Sequence, residues 1–249
     1  MCNKNLGRVS VGGDVMRKFG VVIPAFRPMK ELTEYVQHLS LQGVPQIIVV
    51  NDGSEEAYDA IFAKIAKIEN CTVLNNELNS GKGASLKKGF TYFLEHFSHL
   101  KGIVTADADG QHAADDVLAV GDKLATLNEG FVLGSRVFKR KDMPIRSWIG
   151  NRFTSFIFKI LFGRYIRDTQ TGLRGITTIE LDWVNQLYGD RFEYEMNMLI
   201  NMIRKDKHIV RVDIKALYAE EHTSHFETFK DAKLIAQLIV KNIFNVTQS

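Results

Sequence analysis

The sequence predicts an α/β fold in which a mainly parallel sheet is covered by helices on both faces. Three observations carry this. Short apolar runs recur through the first half of the chain, each is followed by a stretch of helical hydrophobic period, and several end in Asn, Asp and Gly. Strands alternating with helices of 12 to 16 residues imply βαβ units. Their crossovers are right-handed, and their ligands sit beyond the carboxyl ends of the strands.

Residues 19–25 (F-G-V-V-I-P-A) read as a strand buried on both faces, and residues 29–41 follow with helical spacing at Leu32, Tyr35, Val36 and Leu39. Residues 46–51 (Q-I-I-V-V-N) repeat the strand signal; Asp52, Gly53 and Ser54 then turn the chain into a helix ending near residue 68, with Ser54 as its cap. A third strand over 71–74 precedes a helix over 82–97, a fourth over 102–106 precedes a helix over 114–127, and residues 131–134 make a short fifth. After Gly134 the rhythm changes. A basic, aromatic helix is expected over 146–162, helices over 178–187 and 195–205, a strand over 208–214 and a last helix over 229–244.

The chain has 249 residues, 45% hydrophobic and 24% charged, enough to bury a core without disulfides or a structural metal. Cys2 and Cys71 have no framework or metal-ligand spacing, which suits a reducing cytoplasm. Polar residues interrupt the first 18, so no secretory signal is expected, and no run of about 18 uncharged apolar residues predicts a membrane span. Net charge is +3, yet residues 136–167 hold nine cations against Asp142 alone. One basic segment in an otherwise acidic chain points to a focused anionic target: a diphosphate, a lipid phosphate or a membrane surface. No helix-turn-helix, zinc-finger or RNA-recognition signature accompanies it, which argues against a nucleic-acid partner.

The strongest local signal is T-A-D-A-D-G-Q-H over 105–112, with Asp107 and Asp109 one residue apart directly after a buried strand. Carboxylates so placed repel unless a cation lies beside them, and Mg²⁺ or Mn²⁺ completed by phosphates and water would resolve this. A plain turn with a helix cap is the simpler alternative. A calcium loop fails, because the sixth position from Asp107 is His112 rather than Gly and the twelfth is Leu118 rather than Glu. In N-S-G-K-G-A-S over 79–85, glycines flank Lys82 at a helix start, where backbone N–H groups and a cation can attract anions; Gly83 after Lys82 excludes a Walker A loop. Arg136 and Arg146 suit phosphate through the planar guanidinium. The polar ends of the strands, Asn51 with Asp52, Asn75 with Asn76, and Asp107 with Asp109, should meet on one rim.

Aromatics from Trp148 to Tyr165 interleave with Arg152, Lys159 and Arg164, a pattern that fits either an interfacial membrane helix or a helix packed on the core. Glu193 and Glu195 open a helix and can favour its dipole. His222 and His225 lack a third ligand nearby.

Taken together, V-I-P-A-F, V-V-N-D-G-S, N-S-G-K-G-A-S-L-K-K-G-F, T-A-D-A-D-G-Q-H, G-S-R, D-T-Q-T-G-L-R-G and E-Y-E-M-N-M-L resemble the inverting glycosyltransferases of family 2, closest to the bacterial members of the dolichyl- and polyprenyl-phosphate mannose or glucose synthase branch. The resemblance spans residues 19–226. It implies a GT-A fold, a Rossmann-like sheet with helices on both faces and a C-terminal helical extension, as one domain over 1–249. Within it, 1–18 is an N-terminal extension, 19–134 the nucleotide-sugar-binding half and 135–249 the acceptor-side half.

By the same resemblance Pro24, Ala25 and Asp52 contact the nucleoside, with Lys82 alongside. Asp107 faces the sugar or ribose, Asp109 and Gln111 hold Mg²⁺ or Mn²⁺, and Arg136 and Arg146 bind phosphate; Arg174, Glu193 and Glu195 are acceptor-side candidates. The expected reaction is transfer of a hexose from a UDP- or GDP-sugar to a polyprenyl phosphate by a peripheral protein on the cytoplasmic membrane face. Alternatives are transfer to a glycan or protein hydroxyl in envelope polysaccharide synthesis, for which Glu193, Glu195 or Asp116 could serve as base, and nucleotide-sugar binding without turnover. Some relatives carry C-terminal membrane helices and a basic G-K-S-K motif where this chain has T-S-H-F over 223–226.

Overall fold

The computed structural model describes residues 17–110, 112–136, 155, 158–160 and 163–215. Among them the strands β1 (Phe19–Ala25), β2 (Ile47–Asn51), β3 (Cys71–Asn75), β4 (Gly102–Thr105), β5 (Phe131–Arg136), β6 (Arg174–Thr177) and β7 (Ile209–Ile214) form one sheet in the order β3-β2-β1-β4-β6-β5-β7. The helices are α1 (Glu31–Leu41), α2 (Asp59–Ile65), α3 (Lys82–Phe97), α4 (Ala114–Ala125), α5 (Thr178–Asn185) and α6 (Glu193–Arg204).

Strand alternation divides the core in two. Phe19, Val21, Ile23, Ile47, Val49 and Val104 face one side, where they meet Val36 and Leu39 of α1, Phe62 of α2 and Val117 and Leu124 of α4. Val22, Ile48, Val50, Ile103 and Ile176 face the other, against Phe90 and Phe93 of α3, Leu181 of α5 and Met198 of α6. Each such side chain contributes roughly 1.5–3 kcal/mol on burial. Residues buried on both faces explain why β1 and β2 read as unbroken apolar runs rather than alternating ones. Pro24 is tolerated in the central strand because β4 pairs with β1 only as far as Val22, leaving no neighbour on that side to need its missing N–H.

The sheet is parallel except for β6, which runs antiparallel to both β4 and β5. Sequence reasoning missed this strand. At four residues, with Arg174 and Gly175 in its first half, it has neither length nor apolar continuity to announce it. Its direction matters for the site: Thr105 of β4 pairs with Arg174, so the segment entering β6 arrives at the same rim where the parallel strands end. A smaller correction concerns Ser54. It caps no helix; its Oγ accepts the N–H of Arg27 at 3.0 Å, and a 3₁₀ turn over Glu56–Tyr58 leads into α2 instead.

No helix among the described residues is long and apolar enough to cross a membrane. Gln111, Arg146, most of the expected 146–162 helix, the T-S-H-F segment and the expected 229–244 helix lie outside the described residues.

Candidate active site

The expected rim forms. Asn51 Nδ2 donates to Asn75 Oδ1 at 3.1 Å, joining the ends of β2 and β3. Asp52, 4% exposed, accepts from Asn76 Nδ2 at 2.8 Å and Ser80 N–H at 3.0 Å through Oδ1, and from Gly81 N–H at 2.9 Å through Oδ2. A carboxylate holding three donors is a strong local organiser. Asp52 thus moulds the loop before α3, and the nucleoside contact expected of it meets a side chain already committed to that loop. Ala25 is buried beside it, its carbonyl accepting Asp52 N–H at 2.9 Å, while Pro24 is half-buried in register with Val50.

The start of α3 differs from expectation in the same way. Its loop N–H groups are not an open anion site: Asp52 takes two of them and Asp190 O takes Ala84 N–H at 2.9 Å. Gly81 has φ of 99°, and a Cβ there would come within 2.4 Å of Asp190 O, so both its conformation and its packing require glycine. This close approach brings the 190–195 segment over the lysine.

Lys82 is the hub. Its Nζ lies 2.6 Å from Asp107 Oδ1 and 2.8 Å from Glu195 Oε2, with the Phe192 ring 5.7 Å away. Burial alone would lower the ammonium's pKa, but the two carboxylates more than reverse this and hold it charged. Burial would likewise raise the Asp107 carboxyl; Lys82 and His112 outweigh it and hold Asp107 far below the usual carboxylate range. His112 Nε2–H donates to Asp107 Oδ2 at 3.1 Å. The third wall is Gly172, just before β6: a Cβ there would fall 2.5 Å from Asp107 Oδ2. Thr105 Oγ1 holds that backbone in place, donating to Gly172 O at 2.7 Å.

The remaining expected residues fall into two groups. Arg136 reaches the rim at the end of β5 and clasps Asp168, with Nε to Oδ2 at 2.7 Å and Nη2 to Oδ1 at 3.0 Å. Asp168 is 2% exposed, so this fork is a buried structural pair as well as a charge at the rim. Arg174 is corrected: it is 2% exposed, and its guanidinium donates to Thr171 O at 3.0 Å and Glu195 O at 2.6 Å, so it braces the site from inside the core rather than facing an acceptor. Glu193 accepts from Asp190 and Arg191 N–H through Oε1 and orders the loop over Lys82. Asp116, buried, accepts Lys215 N–H at 3.1 Å.

Sequence reasoning therefore missed the roles of His112, Asp168 and Gly172. Only Asp168 had a readable signal, an acid directly after a basic stretch that begins with an arginine at a strand end.

A divalent cation fits this corner by its field and its donors. The buried Tyr35 phenol is pushed well above its ordinary pKa, first by burial and then by the negative charge of Asp107, Asp109 and Asp116. Lys82 and His112 compensate Asp107, and the half-buried Asp109 adds a second carboxylate at the same strand end, an oxygen donor of the kind a hard cation takes. No group of three His, Cys, Asp or Glu is placed for one among the described residues. Mg²⁺ and Mn²⁺ need few protein oxygens when phosphates and water complete the shell.

The profile of glycosyl transferase family 2 matches residues 20–179. An uncharacterized protein of Methanocaldococcus jannaschii is 31% identical over 90% of this chain and 92% of its own length. The UDP-N-acetylglucosamine–dolichyl-phosphate N-acetylglucosaminyltransferase of Methanococcus voltae is 31% identical over 80% of this chain and 86% of its own. Among solved structures, glucosyl-3-phosphoglycerate synthase of Mycobacterium tuberculosis, in complex with Mn²⁺, UDP and phosphoglyceric acid, superposes with a TM-score of 0.68 at 15% identity over 91% of this chain and 78% of that one. At that identity the likeness concerns the fold alone, which is the GT-A fold. With a profile covering well over half its length and a 31% identical relative aligned nearly end to end, the chain belongs to glycosyl transferase family 2.

Proposed function

We propose that this glycosyltransferase moves a hexose from a nucleoside diphosphate sugar to a polyprenyl phosphate, inverting the anomeric carbon. The observation that carries the choice of acceptor is the state of the carboxylates around Lys82. Asp107, held far below the ordinary range, is a poor proton acceptor, and Glu195 shares the same ammonium. An acceptor hydroxyl would need a base to take its proton. A phosphate monoester, with a second pKa of about 6, arrives ionised and needs none. The Methanococcus voltae relative, whose name gives dolichyl phosphate as acceptor, supports the same reading.

In this scheme Asp107, immobilised by Lys82, His112 and Gly172, accepts hydroxyl hydrogen bonds from the donor's ribose or sugar without rearranging during reaction. Asp109 would hold Mg²⁺ or Mn²⁺, which when bound neutralises charge on the departing diphosphate. Arg136, kept in one orientation by Asp168, supplies a permanent positive charge at the same rim. We place the reaction at the cytoplasmic face of a membrane, whose anionic headgroups the cations of the sequence over 136–167 would attract.

The test is a transfer assay with Mn²⁺, labelled UDP- and GDP-sugars, and a short polyprenyl phosphate beside the matching unphosphorylated polyprenol. The expected product forms on the phosphate alone, and NMR shows its anomeric configuration opposite to the donor's. Transfer to the alcohol, or a retained configuration, contradicts the reading.

A further inference from the structure

The turn that enters β6 is fixed from several sides and exposes one side chain. From Asp168 to Thr177 every residue is buried except Gln170. Asp168 Oδ1 accepts the Gln170 N–H at 3.2 Å, a local Asx turn, while the same carboxylate holds Arg136. Beyond it, Thr171 Oγ1 accepts Leu173 N–H at 3.3 Å, Thr171 O accepts from Arg174 Nε at 3.0 Å, and Gly172 O accepts from Thr105 Oγ1 at 2.7 Å. Residues of β4, β5 and β6 thus set the backbone around residue 170, and a side chain on so rigid a support is presented in a defined place.

That place lies between two charged corners of the site. Two residues span at most about 7 Å, so Gln170 stands within that distance of Asp168, which clasps Arg136, and of Gly172, where a Cβ would fall 2.5 Å from Asp107 Oδ2. In the sheet, β6 lies between β4, which leads to Asp107, and β5, which ends at Arg136. It is two places from β1 and three from β2, the strands of the nucleoside candidates Pro24 and Asp52. At about 4.8 Å per strand that is roughly 10–14 Å, which puts the turn on the acceptor flank of the rim.

Asp168 balances the Arg136 charge, so an incoming phosphate meets a weaker field there than a lone guanidinium would give. A neutral amide N–H makes up for this. It donates to an ionised oxygen, a bond roughly twice as strong as one between neutral groups, and brings no charge that needs a partner of its own. We propose that the Gln170 side-chain amide donates a hydrogen bond to the phosphate of the polyprenyl phosphate acceptor and helps select that acceptor. The inference rests on the glycosyl-transfer reading above and deepens it.

Steady-state transfer kinetics of the full chain with Mn²⁺ test it, varying polyprenyl phosphate at saturating nucleotide sugar and then the reverse. Asp168 bonds the backbone N–H of residue 170, so the turn survives a change of this exposed side chain and the melting temperature should stay at the wild-type value. Gln170→Ala should raise KM for the polyprenyl phosphate by about 10-fold and leave KM for the nucleotide sugar unchanged. Gln170→Glu, of nearly the same shape, should raise the acceptor KM further, because its carboxylate repels the phosphate. An unchanged acceptor KM in the glutamate variant overturns the proposal, as does a rise in donor KM alone, which would put the amide on the donor. If wild type transfers to no polyprenyl phosphate, the functional reading itself fails; if wild type transfers and the variants match it, only this inference does.

Discussion

Lys82 Nζ stands 2.6 Å from Asp107 Oδ1, and this contact sets the electrostatics of the site. The carboxylate at the tip of β4 acquires its counter-ion from the start of α3, inside the chain. The repulsion between Asp107 and Asp109 that the sequence suggests a metal must relieve is thus relieved in part by the fold.

Lys82→Met should therefore destabilise the protein by about 3–5 kcal/mol near pH 7, the cost of stripping a buried ion pair of one partner. The pH dependence has a definite sign. In wild type the folded Asp107 pKa is depressed, so its stabilisation is present above the unfolded value of about 3.9 and is lost only as pH falls through the folded value. Without the ammonium only His112 opposes burial, so the Asp107 pKa rises from its wild-type position and protonation relieves the variant as pH falls. Urea denaturation at pH 7 and pH 4.5 should show the gap between the two proteins narrowing at the lower pH. A constant gap would show that packing, not charge, is what Lys82 contributes.

Gly172 is the most sensitive backbone position at the site. A methyl group there would sit 2.5 Å from Asp107 Oδ2, inside van der Waals contact, so Gly172→Ala must push the carboxylate or the chain entering β6. We expect at least a tenfold loss of kcat/KM, since small displacements of a positioned group carry large penalties. The melting temperature should fall by only a few degrees, because β4 and β6 still pair through Thr105 and Arg174. Wild-type kcat/KM in this variant would remove Asp107's placement from the explanation of activity.

Much of the parallel half of this fold is legible from residues because its signals are local. Val21 to Ile23 and Ile47 to Val50 are apolar without interruption, α3 spans the residues its spacing predicts, and Asn51, Asp52 and Asp107 follow strands whose ends must gather on one rim. β6 is not legible, because an antiparallel strand of four residues beginning with arginine is recognised only by the β4 and β5 partners on either side. The site divides in the same way. Asp107 and Lys82 can be singled out in sequence, but that Lys82 binds Asp107 and Glu195 depends on Gly81 letting the 190–195 segment close over α3. Arg174 misleads for a related reason: arginine is seldom fully buried, and only the carbonyls of Thr171 and Glu195 make it so here.

The Arg136–Asp168 fork predicts that charge alone does not suffice at the end of β5. Arg136→Lys keeps a cation yet cannot reproduce two parallel hydrogen bonds from one plane, so Asp168, 2% exposed, would lose a partner it cannot replace from solvent. We expect this variant to lose stability in thermal melts and to lose activity beyond what the melts account for. Asp168→Asn, which retains shape and drops charge, should recover part of the stability when combined with Arg136→Met, since removing both members of a buried pair costs less than removing one. A double variant less stable than either single one would mean that the two residues do not act as a pair.

Asp109 carries the metal prediction, and thermal stabilisation separates its role from that of Asp107. A ligand at 100 times its Kd raises unfolding free energy by about 2.7 kcal/mol. UDP with Mn²⁺ should thus raise the wild-type melting temperature by several degrees, and UDP with EDTA by much less. Asp109 lies two residues past Asp107 and is half-buried, so Asp109→Ala removes an oxygen donor from the turn that follows β4. Whatever its melting temperature without ligand, the variant should gain no more from UDP with Mn²⁺ than from UDP with EDTA. If instead it keeps the full manganese-dependent gain, the ion is held elsewhere and the negative field at Tyr35 has another purpose.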